Sequence, residues 1–276
     1  MATFRFVIAD VFTDVPFAGN QLAVFTDARE IPEERLQPLA REIGFSETVF
    51  VYPAAGDGHA RMRIFTPALE LPFAGHPVLG TAFVLGGPLQ LDELWLETGA
   101  GLVPVRLERD GSRIVSGRMR QPPFTFEPYD RAEELLALLG VEESGLPVEL
   151  YRQGPGHVLV ELGSASAVAE LQPDLAALLG LNHHGTACFA RDGEAWKARV
   201  FVPAHGVDED AATGSAAGPL ALHLARHGRI AYADEIEIHQ GVEIGRPSTL
   251  YAVARSPEEV EVGGSAVVVA RGEFRL

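Results

Sequence analysis

Arg63-Ile64-Phe65-Thr66-Pro67-Ala68 returns 136 positions later (199 minus 63) as Arg199-Val200-Phe201-Val202-Pro203-Ala204. Each copy reads as the end of a strand stopped by proline, which has no N–H for a ladder. A polar loop, a glycine and a run of small residues follow each time: Gly75-His76-Pro77-Val78-Leu79-Gly80-Thr81-Ala82 and Gly214-Ser215-Ala216-Ala217-Gly218-Pro219-Leu220-Ala221. Such runs predict buried helices. A repeat spaced at about half of a 276-residue chain predicts two similar halves, with a cleft between them that each unit faces from its own side.

The rest of the chain fits alternating short elements. Strands are expected over residues 4–11, 22–25, 48–52, 60–65, 94–98, 101–108 and 112–119. A helix is expected over 32–43, from the spacing of Leu36, Leu39, Ala40 and Ile43. Gln121 to Pro128, with three prolines in eight residues, is the most linker-like stretch. It divides the chain into residues 1–126 and 127–276. In the second half helices are expected near 131–139, 165–180 and 214–227, and strands over 157–162, 186–190, 196–202 and 265–270. The last strand could pack back on the N-terminal half.

Composition excludes several classes. A net charge of −16 argues against nucleic acid or an anionic membrane as partner. No segment approaches 18 uninterrupted apolar residues, so no membrane span is expected. No basic stretch precedes an apolar core at the start, so no signal peptide is expected. Cys188 is the only cysteine, which fits a reducing cytoplasm and excludes two-thiol epimerase chemistry. Lys197 is the only lysine and has no phosphate-cradling glycine loop beside it, which makes pyridoxal chemistry a poor fit.

Both helix starts offer free N–H groups and a positive dipole end to an anion such as a substrate carboxylate. Gly75 and Gly214 would let backbone approach a ligand, and Thr213 and Ser215 offer capping hydroxyls. His76 at the first helix start suits proton exchange or hydrogen bonding. Of Asp208, Glu209 and Asp210, the last should point inward, because small residues follow it. Glu47 heads an apolar strand; facing the cleft, its pKa would rise through burial, giving a usable acid and base. Each of these also has an ordinary structural reading, as a cap, a solvent-facing acid or a packing glycine. His223 and His227, four apart without the intervening acid of a zinc-helix motif, read as a surface pair.

Four segments together resemble the PhzF family of phenazine-biosynthesis-like proteins: Phe17-Ala18-Gly19-Asn20, Ser46-Glu47-Thr48-Val49-Phe50-Val51, Phe65 to Pro77, and Glu209 to Ala216. The resemblance runs the length of the chain. It implies a diaminopimelate-epimerase-like α/β (α+β) fold: two pseudo-symmetric domains, each a mostly antiparallel barrel-like sheet around a central helix. It implies a cytoplasmic homodimer and an isomerase with no metal or organic cofactor, acting on trans-2,3-dihydro-3-hydroxyanthranilate. Glu47 would move a proton from C3 to C1, assisted by His76 and Asp210. Asn20, Gly75, Gly214 and Ser215 would bind the carboxylate-bearing substrate. Gln21 and Gly156 depart from the family pattern, which often has proline and arginine there. The alternatives are an isomerase or epimerase of another amino-acid-like molecule, and a non-catalytic binding protein on the same fold.

Overall fold

β-Branched and aromatic runs form eighteen strands and apolar-periodic runs form six helices in the computed structural model, which describes residues 2–276 except 155 and 182. The first half runs β1 (Thr3–Val11), β2 (Asn20–Phe25), α1 (Glu33–Ile43), β3 (Glu47–Tyr52), β4 (Ala60–Phe65), β5 (Glu70–Leu71), α2 (Gly75–Leu89), β6 (Glu93–Thr98), β7 (Gly101–Asp110) and β8 (Arg113–Arg120). The second runs β9 (Thr125–Pro128), α3 (Ala132–Leu139), β10 (Glu149–Arg152), β11 (Gly156–Glu161), α4 (Ala165–Ala169), α5 (Leu175–Leu181), β12 (Gly185–Asp192), β13 (Ala195–Val202), β14 (Val207–Asp210), α6 (Gly214–Arg226), β15 (Glu235–Gln240), β16 (Ser248–Ser256), β17 (Glu259–Gly264) and β18 (Ala266–Arg275).

Strand pairing makes the two halves copies of each other. One series runs β18, β1, β2, β3, β4, β6, β7, β8, and the other β9, β10, β11, β12, β13, β15, β16, β17. Both are parallel only at the third and fifth steps, β2 with β3 and β4 with β6, β11 with β12 and β13 with β15. The C-terminal strand β18 pairs with β1 and so completes the first half, where β9 completes the second. The two series join through antiparallel β8 and β17. The expected division after residue 126 therefore falls inside a strand: Thr125–Pro128 pairs with β10 despite the proline at its end, and only the stretch before it, with Pro122 and Pro123, is irregular. Each series curls around one helix that is buried over most of its length. α2 packs on β1, β2, β3, β6, β7, β8 and β18, and α6 on β11, β15, β16 and β17.

The repeated hexapeptide now has a physical meaning. Its arginine lies over the phenylalanine two residues on, Arg63 over Phe65 and Arg199 over Phe201. The same guanidinium clamps the glutamate that the following hairpin brings back: Arg63 to Glu70 and Arg199 to Glu209. Phe65 faces Glu70 five positions on, and Phe201 faces Glu209 eight positions on. From either glutamate to the helix glycine the count is five again, so the three extra residues sit wholly in the second turn. The two ion pairs differ in burial, with Arg199 and Glu209 side chains 9% and 8% exposed against 25% and 41% for Arg63 and Glu70. Removing one partner of a buried pair strands a charge. Arg199→Met should accordingly cost about 3 kcal/mol of unfolding free energy in a denaturant titration. Arg63→Met should cost less than about 1 kcal/mol, because water screens its partners.

His223 and His227 are not the expected surface pair. His223 is fully buried, and with His227 and Arg226 it surrounds Glu149: Oε2 lies 3.1 Å from His223 Nδ1, 3.3 Å from His227 Nε2 and 2.5 Å from Arg226 Nη1. Against the upward push of burial, the hydrogen bond from Arg226 holds the Glu149 carboxyl at about 2. Two histidines and a carboxylate could group around a metal ion, but the guanidinium already stands on the shared oxygen. Among the described residues no helix is long and apolar enough to cross a membrane.

Candidate active site

The two central helices meet at their N-termini. A β-carbon on Gly75 would lie 2.6 Å from the carbonyl carbon of Gly214 and 2.8 Å from the amide nitrogen of Ser215. The glycines thus let one helix start approach the other, beyond the ligand approach expected of them. Neither start carries a side-chain cap. Thr213 does not cap α6 as expected; its hydroxyl donates to Asp210 Oδ2 at 2.6 Å, and Gln240 donates back to that hydroxyl at 3.0 Å. The first N–H groups of both helices are left without side-chain partners beside one cavity, the arrangement that suits an anionic group.

Glu47, His76 and Asp210 converge on that cavity. Glu47 heads β3, His76 is the second residue of α2, and Asp210 closes β14. All three are buried, and one ligand-type atom of each lies within 4.8 Å of the others. Glu47 Oε2 and His76 Nε2 stand 3.3 Å apart, yet neither makes an aligned hydrogen bond. Two buried polar atoms left open beside a cavity are atoms kept for something else. Gly75, Gly214, Ser215, Ser46, His157 and His205 are among the other residues of its walls. Free space for the centre of a water-sized sphere is about 20 Å³, room for roughly one water. A ring-sized molecule can enter only if the walls part.

Asn20 ties the set together without lining the cavity. Its Nδ2 donates to Asp210 Oδ1 at 2.8 Å and to Ala212 O at 2.9 Å, and it faces His76 Nδ1 at 3.1 Å. Those oxygens fix Nδ2 as the amide nitrogen. Both hydrogens of that nitrogen go to those two oxygens, so its contact with His76 Nδ1 is a close approach that packs the ring in place. Ser46, unremarked in the sequence, donates to Asp210 Oδ1 at 2.9 Å. Its only signal was adjacency to Glu47.

The electrostatics separate the two acids. Burial raises both, and the nearby Asp210 charge lifts Glu47 further, well above the usual carboxylate range. Hydrogen bonds from Thr213, Ser46 and Asn20 favour the Asp210 anion, whereas Glu47 Oε2 accepts none. The pair thus holds its negative charge on Asp210 and its proton on Glu47. Burial pushes His76 down to about 3, so its imidazole is neutral.

A model of the phenazine biosynthesis-like protein family matches residues 9–272. The chain belongs to this PhzF family. A Pseudomonas aeruginosa protein named trans-2,3-dihydro-3-hydroxyanthranilate isomerase is 51% identical over 276 residues, covering 99% of both chains. A solved PhzF-family protein from Bacillus anthracis superposes with a TM-score of 0.85 at 26% identity, covering all of both chains. A hydroxyproline epimerase from Agrobacterium vitis, at 13% identity and TM-score 0.71 over 98% of this chain and 92% of its own, shares the fold alone.

Proposed function

We propose that the chain isomerises trans-2,3-dihydro-3-hydroxyanthranilate, with Glu47 as the general acid/base and no metal or organic cofactor. The observation that carries this reading is a buried Glu47 carboxyl, raised in pKa and free of hydrogen bonds at Oε2, set 3.3 Å from a neutral histidine between two uncapped helix ends. The Glu47 carboxylate takes the proton from ring C3. The C–H electron pair shifts through the conjugated ring, and C1 takes the proton back from the same carboxyl. The enol formed at C3 then tautomerises to the ketone. The helix ends receive the substrate carboxylate, and the His76 ring stands 3.3 Å from Glu47 while it is charged. A dismantled binding-protein cleft would hold Glu47 apart from His76 and Asp210; here the three groups stand together.

Incubation of the protein with this substrate in heavy water should yield product carrying deuterium on a ring carbon. No turnover would overturn the reading. Only the ionised carboxylate can take the C3 proton, so kcat/KM should rise with pH as Glu47 loses its proton. That limb should lie above the ordinary carboxylate range, because the folded-state pKa is raised. A limb near 4 would contradict it.

We read the protein further as a cytoplasmic homodimer. Val15, Val242 and Tyr251 line one surface groove while 57%, 53% and 36% exposed, apolar area that a second copy would cover. Light scattering should give twice the chain mass of 29.6 kDa, and a single-chain mass would overturn the dimer.

A further inference from the structure

The matched registers identify what stands in the second half where the first has its base. Thr48 faces Phe65 and Thr186 faces Phe201, so Gly185 is the counterpart of Glu47. Leu22 pairs with Glu47 and His157 with Gly185, so His157 is the counterpart of an apolar core residue. The titratable group has changed strands. A β-carbon on Gly185 would lie 2.5 Å from His157 Nδ1, so the ring fills the space that a side chain on Gly185 would need.

His157 is 2% exposed and lines the same cavity as Glu47. Its Nε2 lies 2.9 Å from Ser215 Oγ, and its Nδ1 has no hydrogen-bond partner. Ser215 is the second residue of α6, as His76 is of α2. Two polar pairs thus face one cavity from opposite halves, Glu47 with His76 and His157 with Ser215. A buried orphan N–H is rarer in proteins than a buried orphan acceptor. The unpartnered Nδ1 is therefore the bare nitrogen and Nε2 carries the proton. Donating from Nε2 occupies the Ser215 oxygen as acceptor and leaves the Ser215 O–H free to turn into the cavity.

We infer that His157 is a positioning residue that fixes the Ser215 hydroxyl as a donor to a carboxylate oxygen of the substrate, alongside the open N–H groups of α6. The inference rests on the proposed isomerisation for its substrate but not for its geometry. A hydrogen bond to a charged group contributes equally to ground and transition states when it touches a non-reacting carboxylate, so its loss raises KM and leaves kcat nearly unchanged.

Two measurements test this. In nitrogen-15 NMR of the intact protein, the His157 ring should be the Nε2–H tautomer; an Nδ1–H tautomer overturns the inference. In kinetics, His157→Phe and Ser215→Ala should each raise KM about tenfold or more. The double variant should be no worse than the poorer single one, because the residues act as one unit. Additive losses, an unchanged KM, or a loss confined to kcat would each overturn it. Ser215→Ala leaves the His157 packing in place, so it decides the question if His157→Phe folds poorly. Wild-type protein that turns over none of this substrate would defeat the proposed reaction, while the tautomer measurement would still decide the role of His157.

Discussion

Glu47→Gln should lower kcat by about 10²- to 10⁴-fold, the usual worth of a positioned acid/base. Glutamine keeps the shape and the buried position but cannot exchange a proton. The contact with His76 survives as a neutral one, and the walls of the cavity stay where they are. Steady-state kinetics on the purified variant is the measurement, and wild-type turnover would remove Glu47 from the mechanism. The same substitution should stabilise the fold at neutral pH, which distinguishes lost chemistry from lost structure. Its sign follows from linkage. Below the unfolded pKa near 4.5 Glu47 is protonated in both states and contributes nothing. Above it the unfolded chain releases the proton while the folded chain keeps it. Folding is increasingly disfavoured until the raised folded pKa is passed, and the penalty then stays constant. The variant escapes that penalty, so its melting temperature should exceed wild type at pH 7–8 and match it near pH 4. A variant less stable at neutral pH would mean that the raised pKa is not the property Glu47 brings to the site.

The sequence carried the duplicated halves because the hexapeptide is a local device: arginine over phenylalanine, proline at the strand end, glutamate in the return. The return of the last strand to the N-terminal half, expected for residues 265–270, is the pairing of β18 with β1; the period-two pattern alone does not say which edge such a strand joins. Glu47, His76 and Asp210 were legible because each sits at a strand or helix boundary in a distinctive motif. Ser46, Gln240 and His157 were not. Each acts through a partner distant in sequence, which no local pattern names. The capping role expected of Thr213 failed for a related reason. Local logic offered its hydroxyl to the helix, but Asp210, three residues earlier and buried by the β14 hairpin, is the stronger acceptor. Leaving α6 uncapped is then a consequence of satisfying a buried carboxylate, and the same event opens the helix end to a ligand.

Gly75→Ala should reduce kcat/KM by about 10²-fold, since a displacement near 1 Å at a positioned site is enough for that loss. The new β-carbon would fall 2.6 Å from the Gly214 carbonyl carbon, 2.7 Å from its α-carbon and 2.8 Å from the Ser215 nitrogen. All three are backbone atoms of a helix start, with no rotamer to give way. The helix ends must move apart, and with them His76 leaves Glu47 and Ser215 leaves the cavity that both helices close. The reciprocal contact is tight as well, with a β-carbon on Gly214 only 3.0 Å from the Gly75 α-carbon. Overpacking of this kind costs ~1–3 kcal/mol, so the variant should fold with a lowered melting temperature. Gly87→Ala is the control in the same helix, because beyond its chain neighbours and its own helical turn a β-carbon there meets nothing within 4 Å. It should keep wild-type kinetics, and the strain of a β-carbon against the ring of Pro88 in the same helix should hold any stability gain near zero. Were Gly75→Ala as active as Gly87→Ala, contact between the two helix starts would not be what sets the catalytic geometry, and the paired glycines would be packing residues alone.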